Sequence, residues 1–163
     1  MKKLFLAVIV LIGFTVVVNA QEISKNAIGL RLGDSDGFGT EISYQRGLGN
    51  NNRLELDLGL RSGDDYDAFM LTGLYQWIWN LDGNFNWFVG AGGGVASYSM
   101  EYKNEYVQIE DDETVFFVAG DVGIEYNFDF PLLLSLDIRP ELGFGDYHDD
   151  LDFDIALGAR YQF

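Results

Sequence analysis

The chain has 163 residues, with 26 acidic against 10 basic side chains, a formal charge of −16 and no cysteine. That length suits one domain. The missing thiols exclude a disulfide framework, a thiolate metal site, a catalytic cysteine and an acylated lipoprotein cysteine. The acidic balance makes nucleic acid and anionic headgroups poor partners for such a surface. Glycine is frequent at 20 residues, proline rare at 2, and aromatics reach 15%, a composition that favours ordered β structure.

Lys2 and Lys3 precede an apolar run from Leu4 to Val18, followed by Val18-Asn19-Ala20, which places small residues where a signal peptidase reads. The run is shorter than the roughly 20 residues needed to span a bilayer as a helix, so residues 1–20 are expected to be a secretory signal peptide. The mature domain then covers 21–163. Loss of Lys2 and Lys3 leaves it two charges more negative.

Alternation bounded by turn residues predicts eight strands at 27–33, 37–47, 52–62, 66–79, 85–100, 114–128, 132–144 and 151–163. Short connections at Gly49-Asn50-Asn51, Leu81-Asp82-Gly83-Asn84 and Asp129-Phe130-Pro131 alternate with connections around 34, 64, 101–113 and 146–150. The second set holds Asp34, Asp36, Asp64, Asp65, Asp67, Glu101, Glu105, Glu110, Asp111, Asp112, Glu113, Asp146, Asp149 and Asp150, with Lys103 as its basic residue. If both termini are periplasmic, this acidic set faces outward from the cell.

Apolar rows such as Ile28, Leu30 and Leu32, or Leu54, Leu56, Leu58 and Leu60, occupy one face of each strand. The opposite face carries Arg31, Glu41, Arg53, Glu55, Asp57, Arg61, Asp121, Glu125, Asp137, Arg139, Glu141, Asp154 and Arg160, interleaved with glycines. Segment 66–79 leaves its inward face open, because Met70, Leu74 and Ile78 alternate with Phe69, Leu71, Trp77 and Trp79. Leu151 to Phe163 alternates almost without fault and ends on an aromatic residue.

Alternation alone does not say which face is inside. A secreted lipocalin-like carrier would turn the apolar rows inward around a ligand. An eight-stranded interior is too small for so many large apolar side chains, and glycines beside long charged residues suit a crowded lumen. Tyr44, Trp77, Trp79, Phe85, Trp87, Tyr126, Phe128, Phe130, Tyr161 and Phe163 map to one end, as an interfacial aromatic belt would. The expected fold is therefore all-β, an eight-stranded antiparallel up-and-down transmembrane β-barrel.

Over 27–163 the chain resembles the small eight-stranded outer-membrane barrels of the OmpA-like and OmpX-like kind, within the porin-like barrel superfamily. Gly158-Ala159-Arg160-Tyr161-Gln162-Phe163 looks like the C-terminal signal read by the barrel assembly machinery, with Gly158, Tyr161 and Phe163 at its marked positions and Ala156 where a polar residue is usual. The resemblance implies an outer-membrane protein of a Gram-negative-type bacterium, with membrane lipid, lipopolysaccharide and the assembly machinery as partners. It implies little about activity.

His148, the single histidine, sits in Tyr147-His148-Asp149-Asp150 on an expected outer loop. With Ser97 or Ser99 and an acidic neighbour it would give a lipid A-modifying enzyme, the enzymatic alternative. A solvated loop histidine is the simpler reading. The acidic loops would hold divalent cations loosely, without a defined metal site. No cofactor motif is present, and the lumen charges are expected to pair with one another instead of lining a wide diffusion pore. The sequence thus points to a non-enzymatic outer-membrane barrel with a structural or surface-interaction role, with the lipid A enzyme and the secreted carrier as alternatives.

Overall fold

Period-two alternation becomes eight strands: β1 (Asn26–Leu32), β2 (Thr40–Gly47), β3 (Asn52–Ser62), β4 (Tyr66–Asp82), β5 (Phe85–Asn104), β6 (Val107–Asn127), β7 (Leu132–Phe144) and β8 (Leu151–Gln162). Each strand pairs antiparallel with the next, and β8 pairs with β1, so the sheet closes into a barrel. The structure is a computed structural model describing residues 23–33, 39–62, 66–104, 107–144 and 151–163, with side chains except at 66, 100–104 and 107–113. The signal peptide expected at 1–20 lies outside the described residues. So do His148 and the acidic residues Asp34, Asp36, Asp64, Asp65, Glu105, Asp146, Asp149 and Asp150.

Strand register fixes the barrel's shape. From Gln162 the paired positions run through Ala27, Gln45, Glu55, Leu74, Gly92, Ala119 and Glu141 and return to β8 at Asp152, ten residues from the start. A stagger of ten over eight strands tilts them by about 40° and sets a backbone radius of about 8 Å, given strands about 4.8 Å apart. Side chains can fill such an interior.

Faces follow the alternation. Leu30, Ile42, Leu71, Val118, Leu136 and Ile155 point outward and are exposed, while Arg31, Glu41, Thr72, Asp137 and Arg160 beside them are buried. The secreted-carrier alternative is excluded by this orientation, since its greasy face would have to be inside. On β4 the even-numbered residues Ala68, Met70, Thr72, Leu74, Gln76 and Ile78 are buried, which resolves the segment whose inward face the sequence left open.

The outward row of β4 runs from Trp79 to Phe69, about ten residue steps, which at a rise of about 3.3 Å and a tilt of about 40° spans about 25 Å. That is the height of the apolar band on a membrane barrel. Aromatic rings gather at the end carrying the short turns. Tyr75 and Trp77 meet edge to face at 4.9 Å, Trp79 and Trp87 stack at 4.6 Å, and Phe85, Tyr126, Phe128 and Phe130 form a continuous series.

One expected connection is corrected. The stretch 101–113, read as a long loop, is mostly strand: Ser99 pairs with Asp112, Glu101 with Glu110 and Asn104 with Val107. It has no continuous apolar face, which is why its sequence reads as a loop. A hairpin that rises beyond the hydrocarbon needs no such face, because water solvates both sides. β4 also runs on to Asp82, past the expected end at 79, and β2 is described from Thr40, after Gly39 at φ +75°, its expected start at 37 lying outside the described residues.

Candidate functional site

Because side chains alternate, every second residue of each strand enters the lumen, and the sequence has placed most of its arginine there. Arg31, Arg53, Arg139 and Arg160 are at most 2% exposed, a burial tolerated only when each guanidinium meets counter-charges. Glu41, Glu55, Asp57, Asp121, Glu125 and Asp137 are buried with them, and Glu141 and Asp154 are nearly so. Arg61 shares their register but lies exposed at the end away from the short turns.

Arg31 on β1 donates through Nε to Asp137 at 3.0 Å and through Nη1 to Glu41 at 3.2 Å and to Asp154. Arg139 on β7 reaches across the lumen to Glu41 on β2 at 2.6 Å and Asp57 on β3 at 3.3 Å. It also contacts Asp154 at 3.4 Å, and its Nε lies 2.6 Å from Glu141, a charge contact whose angle falls short of a hydrogen bond. Nearer the short-turn end, Arg160 donates to Ser43 and Ser135 at 2.8 Å each and to Glu55. Arg53 pairs with Glu125 at 2.7 Å, donates to Gln76 and sits 5.0 Å over the Phe88 ring.

Neutral side chains that the sequence did not mark complete the network. Gln45 donates to Glu55 at 2.8 Å, Asn86 to Glu125 at 3.2 Å and Gln76 to Asp121. The signal for them was available, since each lies on the face of a marked charge. Among the described residues the lumen still holds eight carboxylates against four guanidiniums. Asp57 Oδ1, Asp121 Oδ1 and Thr72 Oγ1 have no hydrogen-bond partner.

The interior is not polar throughout. Met70, Leu74, Ala96, Phe117 and Ala119 pack together on the β4–β6 wall, with Tyr98 against them, beyond Asp121 toward the end away from the short turns. The apolar residues thus form a patch on one wall of the lumen and share its levels with charged groups, since Leu74 pairs with Glu55 and Ala119 with Glu141.

The C-terminal residues close the barrel. Asn26 and Phe163 exchange backbone hydrogen bonds at 3.1 and 2.9 Å, and Tyr161 stacks with Phe163. A Cβ at Gly158 would overlap Ser135 Oγ and the Arg160 guanidinium. Lumen packing therefore favours glycine at 158, since a larger residue would displace the Ser135 hydroxyl and the Arg160 guanidinium, whatever else reads it.

No family model matches the chain, and no curated protein sequence is a match. Solved structures do match. The N-terminal β-barrel domain of Pseudomonas aeruginosa OprF superposes with a TM-score of 0.60 at 15% identity, covering 86% of this chain and 98% of that one. Ail, the attachment invasion locus protein of Yersinia pestis, superposes with a TM-score of 0.58 at 15% identity, covering 86% and 97%. The chain has the fold of the small outer-membrane barrels. A de novo designed transmembrane barrel also superposes, with a TM-score of 0.57 at 14% identity, covering 88% and 99%. A design carries no inherited activity, so this likeness concerns architecture and leaves function to the residues.

Proposed function

We propose that the protein is an integral barrel of a bacterial outer membrane, non-enzymatic, with a structural and surface-interaction role and a lumen closed to free solute passage. One observation carries this reading: the charged face is buried and mutually paired while the large apolar side chains face out. Leu60 at 63% and Leu157 at 60% exposure belong to a belt of apolar residues around the wall. Soluble monomers rarely expose an apolar area of more than a few hundred Å², and a closed sheet satisfies its backbone internally, as hydrocarbon demands.

In this reading the short-turn end is periplasmic and the tall β5–β6 hairpin stands outside the cell. The partners are membrane lipid, lipopolysaccharide bridged loosely by divalent cations at the acidic outer residues, and the barrel assembly machinery acting on Gly158, Tyr161 and Phe163. Residues 1–20 direct export.

Expression in a Gram-negative host, fractionation, and gel migration with and without heating test this. Outer-membrane recovery with a heat-dependent mobility shift is expected, and recovery as a soluble periplasmic protein would overturn it. The enzymatic alternative is tested separately: His148→Ala should leave the lipid A profile by mass spectrometry unchanged.

A further inference from the structure

The outer wall carries an uncompensated cation. Of the basic residues in the described strands, Arg31, Arg53, Arg139 and Arg160 are buried in the lumen and Arg61 shares their inward register. Among the basic side chains that the structure describes in the strands, Arg46 alone lies on the outward face, in the row of exposed Ile42 and half-buried Tyr44. Across the sheet its row continues to Asn26 on one side and, on the other, through Leu54 to Tyr75. Tyr161 and Phe163 flank it from β8, and Tyr75 and Trp77 from β4.

No side-chain carboxylate occupies the described outward positions of β8, β1, β2 or β3, because their acidic residues, Glu41, Glu55, Asp57, Asp152 and Asp154, fall on the inward register. Arg46 instead donates Nη1 to Asn26 Oδ1 at 2.7 Å, and the same oxygen accepts from Tyr44 Oη at 2.9 Å. One neutral oxygen orients the guanidinium, Asn26 Nδ2 in turn reaches the Phe163 carbonyl oxygen at 3.5 Å, and no side-chain carboxylate among the described residues pairs with the charge. A half-buried charge beside an apolar wall is costly unless an anion meets it, and a planar guanidinium suits the two oxygens of a phosphate.

We propose that Arg46 is a binding site for the phosphate of a glycerophospholipid in the leaflet at the short-turn end, its acyl chains lying along outward Ile42, Leu56 and Leu58. The site rests on the reading of the chain as a membrane barrel. The chain's overall acidity repels anions in general, which leaves the cations at this end, Arg46 on the wall and Lys25 at the rim, as the places where a phosphate is tolerated. Tyr44 and Asn26 are positioning residues that fix the plane of the guanidinium.

Native mass spectrometry of the delipidated protein in detergent, titrated with phosphatidylglycerol, tests the assignment on folded full-length barrel. A heat-dependent mobility shift in every variant verifies the fold, so failure of the barrel reading shows separately. Wild type is expected to take a first lipid at least tenfold more tightly than Arg46→Ala. Arg46→Gln, which keeps the stem and a donor to Asn26, should match the alanine variant, and Arg46→Lys should fall between. Equal lipid occupancy in wild type and Arg46→Gln would overturn the proposal. So would an equal loss in Lys25→Gln, which would mean diffuse attraction at the rim. Displacement of the lipid by millimolar inorganic phosphate would overturn the lipid assignment in favour of a free-phosphate site.

Discussion

Replacing Arg139 with methionine keeps most of the side-chain volume and removes the charge. In the folded barrel this guanidinium contacts Glu41, Asp57, Glu141 and Asp154, tying β7 to β2 and β3 across the lumen. Glu41 and Asp154 would keep Arg31. Asp57 and Glu141 have no other ion pair among the described residues and would be left as isolated buried charges. Removing one partner of a buried pair costs about 3–5 kcal/mol, and with two carboxylates stranded and little cavity created the expected loss is about 4 kcal/mol. Urea unfolding of the refolded protein in lipid vesicles, followed by the fluorescence of Trp77, Trp79 and Trp87, would measure it. Adding Asp57→Asn should recover part of the loss. A loss below about 1 kcal/mol, or no recovery in the double variant, would refute the argument that stranded charge sets the cost.

Asp57→Asn alone should leave stability unchanged or raise it by about 1 kcal/mol, since Asp57 lies near Glu41 and Glu55, has one oxygen without a partner and meets Arg139 only at 3.3 Å; the same urea titration reads it. Gly158→Ala should cost about 1–3 kcal/mol because the new methyl overlaps Ser135 and Arg160; an unchanged unfolding midpoint with lowered membrane levels would confine the glycine to an assembly role. Phe117→Ala deletes the largest ring of the apolar cluster. Single-channel recording in planar bilayers should show little current for wild type and a severalfold increase, cation-preferring, for the variant, given eight lumen carboxylates to four guanidiniums. Deleting 101–110 should leave the heat-dependent mobility shift intact, because the described residues among them, 101–104 and 107–110, pair with one another within the protruding hairpin.

The strand count, the closed all-antiparallel sheet and the burial of Arg31, Glu41, Arg53 and Arg160 were legible because alternation ties each side chain to a face. The face of β4 was not, because large apolar residues occupy both of its faces, Met70, Leu74 and Ile78 on one and Phe69, Leu71, Trp77 and Trp79 on the other. Nor does the turn settle it, since a plain two-residue hairpin at Gly83–Asn84 pairs Asp82 with Phe85 and shifts every earlier pair by one. The structure inserts an irregularity between Asn80 and Asp82, so Asn80 pairs with Asn86 and Ile78 with Phe88. A shift of one residue flips a whole strand. Asn80 holds the irregularity by donating to Gly83 O at 2.8 Å and Phe85 O at 3.2 Å, with Gly83 at φ +52°. The apolar lumen cluster was hidden for the same reason, since Met70 and Leu74 read as lipid-facing once the parity of β4 is open. The side on which Arg46 lies was legible by the same alternation, opposite Glu41, Glu55 and Asp57, but its partner was not, because Asn26 lies on another strand 20 residues away.

The seam between the first and last strands has a consequence for how the molecule is made. Among the described residues the seam between β1 and β8 runs from the Asn26–Phe163 bonds to Leu32, and the joined ends are 137 residues apart in sequence. Pairing so remote in sequence forms slowly. Arg31 on β1 draws two of its three counter-charges, Asp137 and Asp154, from β7 and β8, while Arg160 on β8 reaches Ser43 and Glu55 on β2 and β3. An unzipped sheet would leave both guanidiniums without these partners in a greasy solvent. The two arginines therefore act as a latch: neither is satisfied until the ends meet, and once they meet both are satisfied together, so a half-shut barrel is a high-energy species that the finished protein does not visit.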